Sequence, residues 1–131
     1  MDVIGIIVAT VVSTALGMWW YGPGFGKLWT QLAGISKKQR ADARKMAPKA
    51  MLAGIISTLV MAYVMDLFII MAGAGTAAAG TLIGLLAWLG FIATTSFGRV
   101  IWEGGSVRLY YLNSAYNLLS LALMGAILAV L

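Results

Sequence analysis

The chain contains no cysteine and no histidine. Disulfides, thiolate nucleophiles, haem attachment and the usual zinc ligand sets are thereby excluded, and imidazole acid–base catalysis and a histidine pH switch go with them. Acid is scarce as well: Asp2, Asp42, Asp66 and Glu103 are the four carboxylates among 131 residues, and they are scattered. Without a paired acid and base, nothing meets the geometric requirements of a catalytic site. The sequence therefore assigns no catalytic residue, no metal ligand and no cofactor. Proline occurs only twice, at Pro23 and Pro48, in both cases at the edge of an apolar run.

What remains is overwhelmingly apolar. Hydrophobic residues make up 62% of the chain and charged residues 10%, against roughly 45–50% and about 25% in ordinary soluble domains. A small water-soluble domain leaves much of its surface exposed and could not hide so many apolar side chains. The chain reads as a bilayer protein of one domain, residues 1–131. Four segments, about Val3–Tyr21, Pro48–Met71, Ala77–Phe97 and Leu109–Leu131, reach the roughly 20 apolar residues needed to cross about 30 Å of hydrocarbon. Backbone groups in lipid must bond within their own segment, so each predicts a helix. The alternation of barrel strands is absent, and so few strands could not close a barrel. The expected fold is an all-α, four-transmembrane-helix bundle. The first run follows an acidic Met1-Asp2-Val3 and ends in WWYGPGFG instead of a small-residue cleavage site, so it is expected to be a retained span and not a leader.

The connections are punctuated. Gly22-Pro23-Gly24 should stop the first span. Ser36 and Gln39 have capping-box spacing and should open a short basic helix of about Lys37–Met46, after which Pro48 suits the first turn of the second span. Gly73-Ala74-Gly75-Thr76 makes an uncharged link, Gly104-Gly105 closes the third span, and Ser106 suits the N-cap of the fourth.

Charge sets the orientation. The first connection, a basic loop of residues 22–47 extended by Lys49, carries Lys27, Lys37, Lys38, Arg40, Arg44 and Lys45 against Asp42. The third carries Arg99 and Arg108 against Glu103, and the middle one carries nothing. The positive-inside rule places both charged connections in the cytoplasm and both termini outside the cell (inner) membrane. Trp19, Trp20, Tyr21 and Trp29 would form an inner aromatic belt with Trp102, Tyr110 and Tyr111. Lys37, Lys38, Arg40, Arg44 and Lys45 are expected to meet anionic lipid headgroups. Because the excess positive charge is confined to such segments, nucleic acid is not an expected partner.

Two hairpins show a faint repeat. Phe25-Gly26-Lys27-Leu28-Trp29 follows span one and Phe97-Gly98-Arg99-Val100-Ile101-Trp102 follows span three, while Ser57, Met61 and Ala62 match Ser120, Met124 and Gly125. A parallel duplication of helical hairpins would produce this. Chance likeness between low-diversity apolar segments would too, and the sequence leaves both open. Small residues four apart mark faces for close helix packing: Ala9, Ser13 and Gly17; Ala50 and Gly54; Gly80 and Gly84; Gly90, Thr94 and Gly98; Ala122 and Ala126. They suffice to close a four-helix bundle, and sixteen glycines leave enough over for a homodimer.

The polar residues inside spans are the candidate sites. Asn113, Tyr116, Asn117 and Ser120 recur at helical spacing in span four, and Thr94 and Thr95 lie at similar depth in span three, with Arg99 and Glu103 a turn or two beyond. An Asn facing lipid is costly, so this stripe should face protein or water. It reads either as a small polar pocket or as interhelical glue worth about 1 kcal/mol per contact. Arg99 and Glu103, four apart, suit an exposed ion pair; alternatively Arg99 points inward to an anion. Asp66 is the one acid within a predicted span and lies about 25 Å from Lys49 along the helix. It is expected as a hydrated carboxylate near the outer interface, or else as a site of proton or cation coupling.

The segments WWYGPGFGKLW, LAGIS, FGRVIWEG and LNSAYNLLSLALMGAILA together resemble domain-of-unknown-function family 1761, small prokaryotic membrane proteins expected to have four spans. In that family a Trp-Tyr-small-Pro segment followed by Phe-Gly-Lys-x-Trp closes the first helix. Asn113, Tyr116, Met124 and Gly125 are similar to its Asn-x-x-Tyr and Met-Gly elements in the last helix. The resemblance covers nearly the whole chain and implies the four-span topology, but no activity. The functional expectation is a non-enzymatic membrane protein that binds or passes a small or amphipathic molecule between spans three and four. The alternatives are a structural or accessory subunit, or least of all a small membrane transferase built on Arg99, Arg108, Tyr110 and Tyr111.

Overall fold

The computed structural model describes residues 3–34 and 36–131, with the backbone alone described at Lys37, Arg40 and Ala43. Within the described residues every regular element is helical. Helix α1, Val3–Trp19, passes into a wide π-type turn at Trp20–Gly24. After it come α2, Gly26–Ala33, and α3, Lys37–Ala72. Then α4, Ala77–Ala87, runs through a second π-type segment, Trp88–Ala93, into α5, Thr94–Trp102. Helix α6, Val107–Val130, completes the chain. Four stretches are long and apolar enough to cross a membrane: Val3–Gly24, Arg44–Ala72, Ala77–Trp102 and Val107–Val130. The protein is a multi-pass helical membrane protein.

The ends form where local chemistry demands. Gly73 and Gly104 take left-handed backbone, φ 68° and 66°, which side chains with a Cβ resist. Thr76 and Ser106 cap the next helices, accepting the N–H of Ala79 at 3.1 Å and of Leu109 at 3.3 Å. At the first exit Gly22 leaves helical geometry (φ −112°, ψ −109°) one residue before Pro23, and the chain bends there.

Two boundaries differ from expectation. The basic segment is not a separate helix ending before Pro48. It is the start of α3, a single helix of 36 residues with Pro48 inside. The capping box is formed as expected: Ser36 Oγ accepts the N–H of Gln39 at 3.2 Å, and Gln39 Oε1 accepts the N–H of Ser36 at 2.8 Å. Helix growth then continues past the proline, because the missing bond would have ended on the carbonyl of Arg44, an exposed residue where water can replace it. At 1.5 Å per residue α3 is about 54 Å long, well beyond the hydrocarbon thickness, so its first turns project from the bundle. Lys38, Arg44 and Lys45 are exposed there, whereas the side chains of Lys37 and Arg40 lie outside the described residues. The third span also runs further than expected, to Trp102 and not Phe97.

Helix α6 is the centre of the bundle. It packs along α4 and also touches α1 and α3, whereas α3 and α4 barely meet. Ile6, Ala9, Ala62, Met65, Ile69, Leu121, Met124 and Leu128 form the buried core. Against α6 the small residues of α4 allow backbone contact: a Cβ added at Gly84 would lie 2.7 Å from the carbonyl carbon of Leu121, and one at Gly80 would lie 2.6 Å from Ala129 Cβ. Lipid offers no hydrophobic drive between helices, so this close approach is what holds them. Of the expected faces, Ala9–Ser13–Gly17 and Gly80–Gly84 are used, while Gly54 and Gly90 meet nothing within 4 Å. The two Phe-Gly-basic segments do not share a conformation, since Phe25 precedes α2 whereas Phe97 lies inside α5.

Asp66 departs most clearly from expectation. It is not a hydrated terminal carboxylate but is 2% exposed, on the face of α3 that carries Ala62, Met65 and Ile69 into the core. It borders a small cavity near the uncharged end of the bundle, with Gly73 and Leu128. Counting residues from Lys49 gives a distance along the helix but says nothing of which face Asp66 occupies.

Candidate functional site

The bend at Gly22-Pro23 turns the chain over the charged end of the bundle, and α2 brings Trp29 back above the space between α5 and α6. Tyr21 packs edge-on against Trp29, ring centres 5.9 Å apart, and against Tyr116 at 5.3 Å. Its hydroxyl donates to Asn113 Oδ1 at 2.7 Å. One bond thus ties the exit of the first span to the fourth.

The second π-type segment shapes the opposite wall. A wider turn leaves carbonyls without their regular partners, and in a membrane each must find another donor. Thr94 Oγ1 donates to the carbonyl of Gly90 at 2.7 Å. Thr95 Oγ1 donates to Phe91 and, at 3.4 Å, to Ile92. Tyr110 on α6 donates its hydroxyl to the carbonyl of Ala93 at 2.8 Å. In the other direction Trp88 Nε1 donates to the carbonyl of Ser114 at 2.9 Å. These last two bonds tie the π-type segment to α6, and a gap remains between α5 and α6 toward the charged end.

A cavity of about 680 Å³ occupies the gap. Thr95, Ser96 and Arg99 line it from α5, Gly105 and Ser106 from the turn, and Asn113, Ser114 and Asn117 from α6, with Tyr21 and Trp29 closing the top. Four of the residues expected from the sequence meet here: Thr95, Arg99, Asn113 and Asn117. Asn117 Nδ2 donates to the carbonyl of Asn113 at 3.1 Å, one turn back.

The other four are elsewhere. Thr94 bonds within its own helix and does not line the cavity. Glu103 ends α5, its backbone N–H on the carbonyl of Arg99 at 3.1 Å, so Arg99 turns to the cavity without Glu103 beside it there. Tyr116 and Ser120 face α1: the Tyr116 hydroxyl donates to the carbonyl of Ser13 at 3.0 Å, over Gly17, and Ser120 Oγ donates to Ser13 Oγ at 3.0 Å. The stripe on span four is therefore two sites, a cavity wall at the charged end and a buried α1–α6 fastening deeper in.

Sequence reasoning missed Tyr21, Ser96, Ser106 and Ser114. Tyr21 was read only as a belt aromatic, and the glycine-proline bend that redirects it was the available signal. Ser114 sits beside Asn113 but about 100° around the helix, so a four-residue stripe passes over it. Trp20 and Tyr110 also turn inward, while Trp102 and Tyr111 stay exposed at 86% and 65%, leaving a narrower belt than expected.

Among the described residues, four membrane-length helices, with a polar cavity between α5 and α6 at the charged end, define a small polytopic membrane protein. The chain belongs to the family described as protein of unknown function DUF1761, whose model matches residues 4–129. No curated protein and no solved structure matches it.

Proposed function

We propose that this protein binds a small or amphipathic molecule in the cavity between α5 and α6, without catalysing a reaction on it. The observation that carries this reading is the cavity itself. At about 680 Å³ it falls within the roughly 300–1,000 Å³ typical of ligand sites. Polar side chains serving only to fasten helices would close upon one another, as Ser13 and Ser120 do. The lining instead mixes amide, hydroxyl and guanidinium groups with Val100 and Leu109.

The charge asymmetry supports an orientation with both basic connections in the cytoplasm and both termini outside. The cavity then opens on the cytoplasmic side, at headgroup depth. Lys45 and Lys49 on α3 stand where anionic headgroups would attract them. The open space at Gly90 leaves room for a second copy of the chain. The competing reading, a structural or accessory subunit, draws on the Ser13–Ser120 and Ser13–Tyr116 bonds, which do fasten helices.

The test is Asn113→Leu combined with Asn117→Leu. Wild-type protein extracted in mild detergent is expected to carry a bound compound visible by native mass spectrometry, and the double variant to lose it while keeping its helicity. A more stable variant with an unchanged cellular role would show that the cavity holds nothing of consequence.

A further inference from the structure

Which groups in the cavity wall are already bonded indicates the chemistry of the occupant; the inference rests on the binding reading above. Among the described residues Arg99 is the one charged side chain in the lining, and no carboxylate is present there. The carbonyl end of Asn113 is taken by the Tyr21 hydroxyl, which leaves its amide N–H groups to face outward. Ser106 Oγ accepts the N–H of Leu109, so its proton remains to donate.

Ser114 also lines the cavity; it is 4% exposed, and its Oγ is buried with no hydrogen-bond partner. A serine inside a helix ordinarily bonds back to a carbonyl of the preceding turn. A buried hydroxyl without a partner is destabilising. The start of α6, 24 residues long, also borders the cavity at Ser106, and its N-terminal end carries partial positive charge. The remaining acceptors, Asn117 Oδ1 and hydroxyl oxygens, are all neutral.

We propose that the cavity is an oxyanion site whose ligand carries a phosphate group. Arg99 supplies the charge, and Asn113 Nδ2 and Ser106 Oγ supply directed donors. These groups come from α5, from the turn and from α6, and so converge from different directions. That arrangement suits a tetrahedral phosphate better than a planar carboxylate. The phosphate could belong to a lipid headgroup in the adjacent leaflet or to a soluble phosphorylated compound. Trp29, Val100 and Leu109 provide an apolar wall for an attached chain.

The test uses the full chain in maltoside micelles, which contain no phosphate, with dioleoyl phosphatidate, dioleoylglycerol and inorganic phosphate as probes. Phosphatidate is expected to bind at least about tenfold more tightly than dioleoylglycerol, and to lose about that factor in Arg99→Gln. Arg99→Lys should restore part of the loss. Competition by inorganic phosphate would indicate that a soluble ligand suffices; binding of phosphatidate without such competition would assign the site to lipid. If dioleoylglycerol binds equally well, is indifferent to Arg99→Gln and is lost in the Asn113→Leu/Asn117→Leu variant, the cavity reading stands and the phosphate assignment falls. If no probe binds, both fall.

Discussion

The α4–α6 seam rests on backbone contact at three glycines, and Gly84→Ala tests this directly. The added Cβ would stand 2.7 Å from the carbonyl carbon of Leu121 and 3.1 Å from Ala122 Cα. Ordinary contact begins at 3.4 Å. These are backbone atoms and cannot rotate away, so the helices must separate by a large part of an ångström. Overpacking of this kind costs about 1–3 kcal/mol, and the adjoining contacts at Gly80 and Gly125 weaken together because all three glycines share one seam. Gly80→Ala is relieved by the same separation, so the double variant should cost less than the two singles combined, by at least about 0.5 kcal/mol. Gly54→Ala and Gly90→Ala serve as controls: with no neighbour within 4 Å, they should be neutral or stabilising by up to about 1 kcal/mol through helix propensity. Reversible unfolding in mixed micelles, followed by circular dichroism, measures all five. If Gly84→Ala is no more damaging than Gly54→Ala, the backbone contact is not what joins these helices.

The buried bond between Ser13 and Ser120, 3.0 Å long, should show a coupling of about 1 kcal/mol in a double-mutant cycle with alanine; a coupling of zero in the same unfolding assay would remove it as a fastening of α1 to α6. Because the chain has no cysteine, single substitutions report orientation cleanly. Gly75→Cys should react with an impermeant maleimide on intact cells and Ser36→Cys only after lysis, and the reverse pattern would invert the proposed topology.

Much of the fold was legible because each signal is carried by short stretches of sequence. Ser36 with Gln39, Thr76, Ser106, Gly73 and Gly104 act through their own backbone neighbours, and the structure has each of those signals at a helix boundary. Pro48 misled because a proline weakens a helix by a finite amount and ends it only where nothing replaces the lost bond. The site was half legible. Thr95, Arg99, Asn113 and Asn117 do line one cavity, but Tyr116 and Ser120, drawn from the same four-residue stripe, face α1 instead. At 100° per residue a stripe three or four residues apart drifts around a helix, and over two turns it passes from one neighbour to the next.

From sequence alone came the number of spans, the all-helical class and the segregation of charge to one end of the bundle, since hydropathy and charge add residue by residue along a run. Tertiary packing alone decided that Asp66 is buried, that Ser114 is left with an unpartnered hydroxyl, and that Tyr21 closes over Asn113. Those outcomes depend on rotational phase about the helix axes. A glycine-proline bend, a π-type turn and a seam of three glycines set that phase, and each acts on residues far away along the chain.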